Sequence, residues 1–396
     1  MPPAAHALLG ASSAHRWIAC PPSARLSARM DELYGRPASH FAEEGTKAHA
    51  LCELKVKRAL QKEKRAAGLT APQYKKQRAA LGEIPEDMEH STDSWCDLVM
   101  EKVDKDPNAT VMLEVRVDYS KYVPEGFGTA DCVIVGSNGH IDVMDYKHGL
   151  GVQVDAENNP QLRLYALGVL EVLMYIYDIT NDDPITMTIV QPRLQHVSFE
   201  TMTVKDLIVW ASGVVEPAAK LAYEGKGEFV PGEHCRFCSV KPICAARAAE
   251  SLKLFQTGLP AAATLDADAI ADILPRAELA ESWIKDLFAF AEAQALKGEH
   301  YRGYKVVRGK KPNRVWTDEA SVRETLNNAG YTADQIEERS LKSVTVMEKM
   351  IGKKDFQGLV GGLVSQGEGK LKLVPESDKR EAVDPMETGI SELFDN

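Results

Sequence analysis

At 396 residues and a formal net charge of −11, the chain has room for one large domain plus an appendage, or for two domains. That acidity argues against sequence-independent coating of nucleic acid, although it leaves room for a local basic channel. Apolar residues make up 44% and charged residues 27%, the balance of a soluble globular protein, and no apolar run is long enough to span a bilayer. The N-terminus lacks the basic start and long apolar core of a signal peptide, so a cytosolic protein without a disulfide framework is expected from its seven cysteines.

In the opening SSAHRWIACPPSARL, Ser12 or Ser13 caps a short helix that ends where Cys20 meets Pro21 and Pro22. Residues 42–60 read as a helix that carries Gly45, His49 and Glu53 on one face, four residues apart. A glycine in mid-helix suggests close packing or approach to a site. His49 taken alone is an ordinary hydrogen-bonded core histidine. The basic block from Lys55 to Arg78 reads as a solvated helix face followed by a loop. Residues 87–103 form another helix, and 110–118 (TVMLEVRVD) a strand by strict alternation. That alternation sets Val111, Leu113, Val115 and Val117 on one face and Met112, Glu114, Arg116 and Asp118 on the other.

The stretch from Gly128 to Lys147, GTADCVIVGSNGHIDVMDYK, reads as a β-hairpin around Ser137-Asn138-Gly139. Asp145 and Lys147 project from one face. A two-residue Asn138-Gly139 loop pairs Asp131 with Tyr146 and separates the two acids. A three-residue loop with Gly139 left-handed pairs Asp131 with Asp145 directly. Two facing carboxylates repel unless a cation sits between them, and hard oxygen ligands suit Mg²⁺ or Mn²⁺. The Asp-x-Lys triplet taken alone reads as a solvated strand face with an Asp/Lys pair.

Asn158-Asn159-Pro160 opens a long helix, apolar nearly all round, that carries Gln161 and Tyr165 and runs to Tyr177. A strand over 185–191, then Pro192-Arg193 and a helix over 203–223, complete an α/β region with a mixed sheet. Cys235, Cys238 and Cys244 form a C-x₂-C-x₅-C half-shell for a soft metal that lacks one ligand, and Cys20, also beside prolines, supplies it best. Spacing does not decide between an iron–sulfur cluster and structural zinc. Cys52, Cys96 and Cys132 read as small buried hydrophobes.

Beyond Leu252 the composition changes. Residues 266–297 form an amphipathic helix, 301–307 a strand, and 308–314 a basic turn that could grip nucleic-acid backbone or simply face solvent. Thr317 to Ala320 caps a further helix, and 344–351 and 354–364 form short ones. The tail from Glu376 is polar and acidic.

Taken in order, these motifs resemble the RecB-like branch of the PD-(D/E)xK nuclease superfamily, nearest its iron–sulfur members, the AddB-type helicase-nucleases and CRISPR-associated RecB-like exonucleases. Cys20, Gly45 with His49, Gly128 with Asp131, Asp145 with Lys147, Gln161 with Tyr165, and the cysteine triplet follow the family order over residues 12–244. The whole chain also resembles an uncharacterised family of phage-encoded proteins.

The resemblance implies a restriction-endonuclease-like α/β core, its mixed sheet flanked by helices, with a mainly helical α+β extension. The nuclease domain would span 1–250, the extension 251–375 and the tail 376–396. It implies that His49, Asp131, Asp145 and the Tyr146 carbonyl ligate Mg²⁺ or Mn²⁺, with Glu114 as an additional acid. Lys147 would act on water and phosphate, and Gln161 and Tyr165 would hold the lysine and the strand. Arg116 and Arg193 would touch nucleic acid. Cys20, Cys235, Cys238 and Cys244 would hold a [4Fe–4S] cluster, with zinc as the alternative. The implied activity is exonucleolytic cleavage of DNA at free ends or single strands, in phage replication or recombination in the host cytoplasm, beside recombination proteins or a helicase supplied in trans. The alternative is a catalytically weak binding or assembly module on the same fold.

Overall fold

Runs of Val, Ile and Met with polar punctuation build a five-stranded sheet in the order β1-β2-β3-β4-β5. The strands are β1 (Thr110–Asp118), β2 (Phe127–Val135), β3 (Ile141–Tyr146), β4 (Pro184–Gln191) and β5 (His196–Thr203). The computed structural model describes residues 7–35, 40–66, 68–256, 265–307, 318–330, 332, 344–360 and 363–364. Neighbouring strands are antiparallel except β3 and β4, which run parallel and therefore need a crossover. The crossover contains helix α6 (Pro160–Leu173), started by Asn159, whose side chain accepts from the N–H groups of Gln161 and Leu162. The fold is thus mixed α/β, with helices on both faces of a mixed sheet.

Helices α1 (Ala14–Ala19), α2 (Ser23–Tyr34), α3 (His40–Lys62), α4 (Ala71–Ala80) and α5 (Glu86–Lys105) precede the sheet. After β5 come α7 (Val204–Trp210), a π turn (Ala211–Val215) and α8 (Glu216–Glu224). Pro217, near the start of α8, has no N–H to donate to the preceding turn, which accounts for the widened ladder there. Helices α9 (Ala245–Gln256) and α10 (Ala267–Ala295) complete a compact unit ending at Val306. In the second unit, from Val307 onward, α11 (Glu319–Asn328) starts at Asp318, whose carboxylate accepts from Ala320 and Ser321 N–H. Helices α12 (Val344–Ile351) and α13 (Lys353–Val360) follow.

Two cores sandwich the sheet. The first gathers Trp17, Val133, Val143, Leu164, Ile189 and Leu207 from α1, the sheet, α6 and α7. The second gathers Leu51, Val56, Trp95, Val99, Met144 and Tyr146 from α3, α5 and β3.

The strict alternation expected for β1 does not hold. Val111 and Leu113 pack into the second core, but Val115 and Val117 pack into the first. The phase changes at Glu114, whose φ of 50° is left-handed. On β2 the phase changes at the facing residue, for Ala130 belongs to the first core and Cys132 to the second.

Other expectations also shift. Helix α6 stops at Leu173, leaving Tyr175 and Ile176 exposed, where the apolar run suggested continuation to Tyr177. Residues 301–307 form a turn and irregular chain instead of a strand. The Lys55–Arg78 block contains a second helix, α4, and several of its cations are paired: Lys55 with Glu89 and Asp93, Arg65 with Asp104, Arg78 with Glu89. The basic turn 308–314 and the tail from Glu376 lie outside the described residues.

Candidate active site

The β2–β3 connection decides the geometry of the acids. Gly136 N–H donates to His140 O at 2.8 Å, Gly139 has φ of +82°, and the ladder pairs Cys132 with Met144. This is the three-residue loop, and the register continued by one residue sets Asp131 opposite Asp145. Asp131 Oδ2 accepts from Tyr146 N–H at 2.7 Å, and its Oδ1 lies 3.2 Å from His49 Nδ1. The strained Glu114 brings its carboxylate to the same place. His49, Glu114 and Asp131 each present one donor atom, all within 4.8 Å of one another, a set that could hold a divalent cation.

Asp145 and Lys147 stand beside this triad. Asp145 is 2% exposed, and its Oδ2 lies 2.8 Å from Lys147 Nζ without an aligned hydrogen bond. Gln161 on α6 ties the group together. Its Oε1 accepts from Lys147 Nζ at 3.0 Å, and its Nε2 donates to Asp145 Oδ1 at 3.0 Å and to the Tyr165 hydroxyl at 3.1 Å. The ring of Tyr165 covers Gly128, where a Cβ would meet it at 2.7 Å. That contact explains the glycine three residues before Asp131.

The electrostatics follow from burial among carboxylates. Burial and then the Asp131 charge push the Glu114 carboxyl up to about 7. Burial opposes the charged form of His49, yet the hydrogen bond and charge of Asp131 hold its pKa above the ordinary value. Burial likewise opposes the Lys147 ammonium, and the Asp145 charge more than restores it, so its pKa is raised. The site therefore gathers more negative charge than its own cations offset.

Ser91, His148 and Glu44, not anticipated from the sequence, lie behind Tyr146. The buried Tyr146 hydroxyl bonds Ser91 Oγ at 3.0 Å and His148 Nδ1 at 2.9 Å, and His148 Nε2 lies 3.1 Å from Glu44. Arg193 lies outside the triad, with Asp87 at 2.7 Å and Glu44 at 3.1 Å. Arg116 also stands apart, its guanidinium 4.3 Å from the centre of the Phe127 ring. The one available signal for His148 was its parity with Tyr146 along the strand.

The four cysteines of the expected set share one pocket wall. Cys20 at the end of α1, Cys235 and Cys238 at a 3₁₀ turn (Glu233–Phe237), and Cys244 before α9 line one small cavity. All four are free thiols. Asp286 on α10 braces this segment through Lys241 at 3.0 Å and Arg247 at 2.6 Å.

A protein-family model described as "Protein of unknown function (DUF2800)" matches residues 6–381. The chain belongs to the DUF2800 family. The DUF2800 match takes in the sheet, the acid cluster, the cysteine cavity and most of the second unit. Among solved structures, one titled "Crystal structure of SSO0001" is similar at 14% identity, covering 56% of this chain and 94% of that one. The TM-score between the two is 0.23. No helix among the described residues is long and apolar enough to cross a membrane.

Proposed function

We propose that this protein is a metal-dependent nuclease of the PD-(D/E)xK class, RecB-like in its motif order, that hydrolyses phosphodiester bonds in DNA. The observation that carries the reading is the convergence of His49, Glu114 and Asp131 within 4.8 Å, beside a buried Asp145 paired to Lys147. The donor set fits a hard divalent cation, since it is mostly carboxylate oxygen and Asp145 Oδ2 is buried without a hydrogen bond. His49, Glu114, Asp131, Asp145 and the Tyr146 carbonyl would hold Mg²⁺ or Mn²⁺. When bound, such an ion supplies Lewis acidity and lowers the pKa of water.

The chain's own residues do the rest. Lys147 stays protonated beside Asp145 and sets a positive charge where the attacked phosphate gains negative charge. It therefore acts as an electrostatic stabiliser that orients water and phosphate; a proton acceptor would have to be neutral. Gln161 fixes Lys147 and Asp145 together, and Tyr165 fixes Gln161, so the ammonium has little freedom to swing away. In the reaction a water oxygen bonds to phosphorus as the bridging P–O bond breaks, releasing a hydroxyl-terminated strand.

The same reading assigns the four thiols a soft-metal centre, a [4Fe–4S] cluster with zinc as the alternative, stapling α1 to the segment before α9. The fit rests on four free thiols around one cavity, with the Ser23 hydroxyl buried and unpartnered in its wall. We assign the substrate as free ends or single strands of DNA, in phage replication or recombination in the host cytoplasm, with any duplex-unwinding motor acting in trans.

The test is cleavage of end-labelled single- and double-stranded DNA with Mn²⁺ by anaerobically purified wild type and Lys147→Ala. Loss of about a hundredfold or more in the variant, with an unchanged melting temperature, is expected. No cleavage by a metal-loaded wild type would move the protein to a binding or assembly role. Equal rates from both proteins would expose a contaminant.

A further inference from the structure

Arg16 on α1 is only 9% exposed, and among the described residues no carboxylate pairs with it. A guanidinium in that position is costly unless negative charge lies close by. Its Nη1 donates to Ser23 O at 2.8 Å and also to Ser27 Oγ. Because Ser27 Oγ already accepts from Arg16, its own hydrogen is free to point at Cys238 Sγ, 3.8 Å away. Ser23, whose carbonyl Arg16 holds, lines the cysteine cavity with its hydroxyl buried and unpartnered. On the other side of the cavity His234 is held through Nε2 to the Val230 carbonyl at 2.8 Å. A buried cation without an acid thus stands behind the cavity, joined to it by two serines: Ser27, whose hydroxyl meets Cys238 Sγ, and Ser23, which lines the wall.

We propose that Arg16, relayed by Ser27, is the charge-balancing residue of the cysteine centre, offsetting the net negative charge of a metal held by four thiolates. The proposal rests on the reading that these thiols bind a soft metal, and it holds for either iron–sulfur or zinc. Arg16 touches no ligand sulfur directly, so it is a positioning residue that acts through Ser27. With the centre in place the cation has its counter-charge. With the centre stripped, the same cation is buried and uncompensated.

That contrast gives a readout that a purely structural arginine would not move. Full-length wild type, Arg16→Met, Arg16→Lys and Ser27→Ala are purified anaerobically and assayed for iron, sulfide and zinc per chain. Metal release to a chelator and the melting temperatures of loaded and stripped forms are then measured. Arg16→Met should release metal about ten- to hundredfold faster than wild type, with Arg16→Lys recovering most of the loss. The stripped Arg16→Met protein should melt no lower than stripped wild type. If the metal is an iron–sulfur cluster, its midpoint potential should fall in Arg16→Met and return in Arg16→Lys, because lost positive charge disfavours the added electron.

Wild-type release kinetics in a folded Arg16→Met protein would overturn the proposal, as would equal destabilisation of loaded and stripped forms. If Arg16→Met does not fold, Ser27→Ala decides the matter: faster release supports the relay, and wild-type release refutes it. A wild type carrying neither iron nor zinc sinks the metal-centre reading itself, and the charge-balance proposal with it.

Discussion

Gly128→Ala tests whether the packing behind the acid cluster controls its geometry. A methyl at this position would sit 2.7 Å from the Tyr165 ring and 3.7 Å from the Tyr119 ring. Ordinary contact begins near 3.4 Å, so the Tyr165 ring must retreat by about 0.7 Å. Tyr165 is 7% exposed and enclosed by the first core, so its retreat strains neighbours. Overpacking of this kind costs about 1–3 kcal/mol, and replacing a strand glycine returns roughly 0.5–1 kcal/mol, leaving a net loss of up to about 2.5 kcal/mol. The larger effect falls on the site, since the Tyr165 hydroxyl holds Gln161, and Gln161 holds both Asp145 and Lys147. A displacement of that size at a positioning residue should lower cleavage about ten- to hundredfold. Urea denaturation gives the stability change, and cleavage with saturating Mn²⁺ gives the rate. The coupling is checked in a Tyr165→Leu background, which removes the clashing ring atoms. There the stability cost of Gly128→Ala should shrink to within about 0.5 kcal/mol. Full cleavage by Gly128→Ala, or an undiminished cost in the Tyr165→Leu background, would refute the reasoning.

Three further outcomes follow from the charges. With its carboxyl pushed up to about 7, Glu114 keeps its proton to near neutrality in the metal-free protein. Cation binding must then displace a proton, so Mn²⁺ affinity should rise from about pH 6 to about pH 8, with proton release visible by calorimetry in buffers of different ionisation enthalpy. A pH-independent affinity would contradict this. The raised value also means that the metal-free fold gains stability from this group below the unfolded pKa and loses it as pH climbs through about 7. At the far end of the sheet, Lys102 pairs with the buried Asp142, which also accepts from Thr188 Oγ1 at 2.8 Å. Lys102→Met should cost about 3 kcal/mol in urea denaturation by stranding that carboxylate, and a cost under about 1 kcal/mol would show that Asp142 is solvated or protonated.

Local chemistry made much of this molecule readable from its residues. Asn159 and Pro160 mark the start of α6, and Gly139 marks the turn, because each serves a backbone need that few other residues meet. His49 and Glu53 share a helix face by spacing alone. The missed parts are those where tertiary contacts reverse the usual pattern. Strand β5 carries Val197 and Phe199 outward, 53% and 72% exposed, while Ser198 and Glu200 turn inward. Ser198 accepts from Ala156 N–H at 2.6 Å, and Glu200 takes Arg163 and Asn158 N–H. Its inward polar residues thus anchor the loop before α6, a duty no period-two hydrophobic pattern reveals. The polar helix α4 was hidden for a similar reason, being fastened through the Arg78–Glu89 ion pair without a buried apolar face.

The change of phase at Glu114 and Asp131 explains how the α3 layer reaches an acid beside the group that α6 holds. In a regular strand pair the side chain at position 131 serves a single face, and only the helix layer on that face can reach it. Here His49 arrives from α3, whose residues build the second core, while Gln161 and Tyr165 arrive from α6, which builds the first. His49 reaches Asp131 where β1 and β2 exchange faces, and Asp131 is shared between His49 and the Tyr146 N–H. Gln161 reaches Asp145 on the face that β3 gives it by plain alternation with Val143. The exchange costs about 1–2 kcal/mol for a left-handed glutamate. The residue under strain is also the one whose carboxylate completes the triad, so relaxing its backbone into a regular strand would return Glu114 to one face and take it away from His49. Strain at this position and the candidate cation site are therefore two aspects of one local distortion, bounded by the pairs Leu113–Cys132 and Val115–Ala130 on either side.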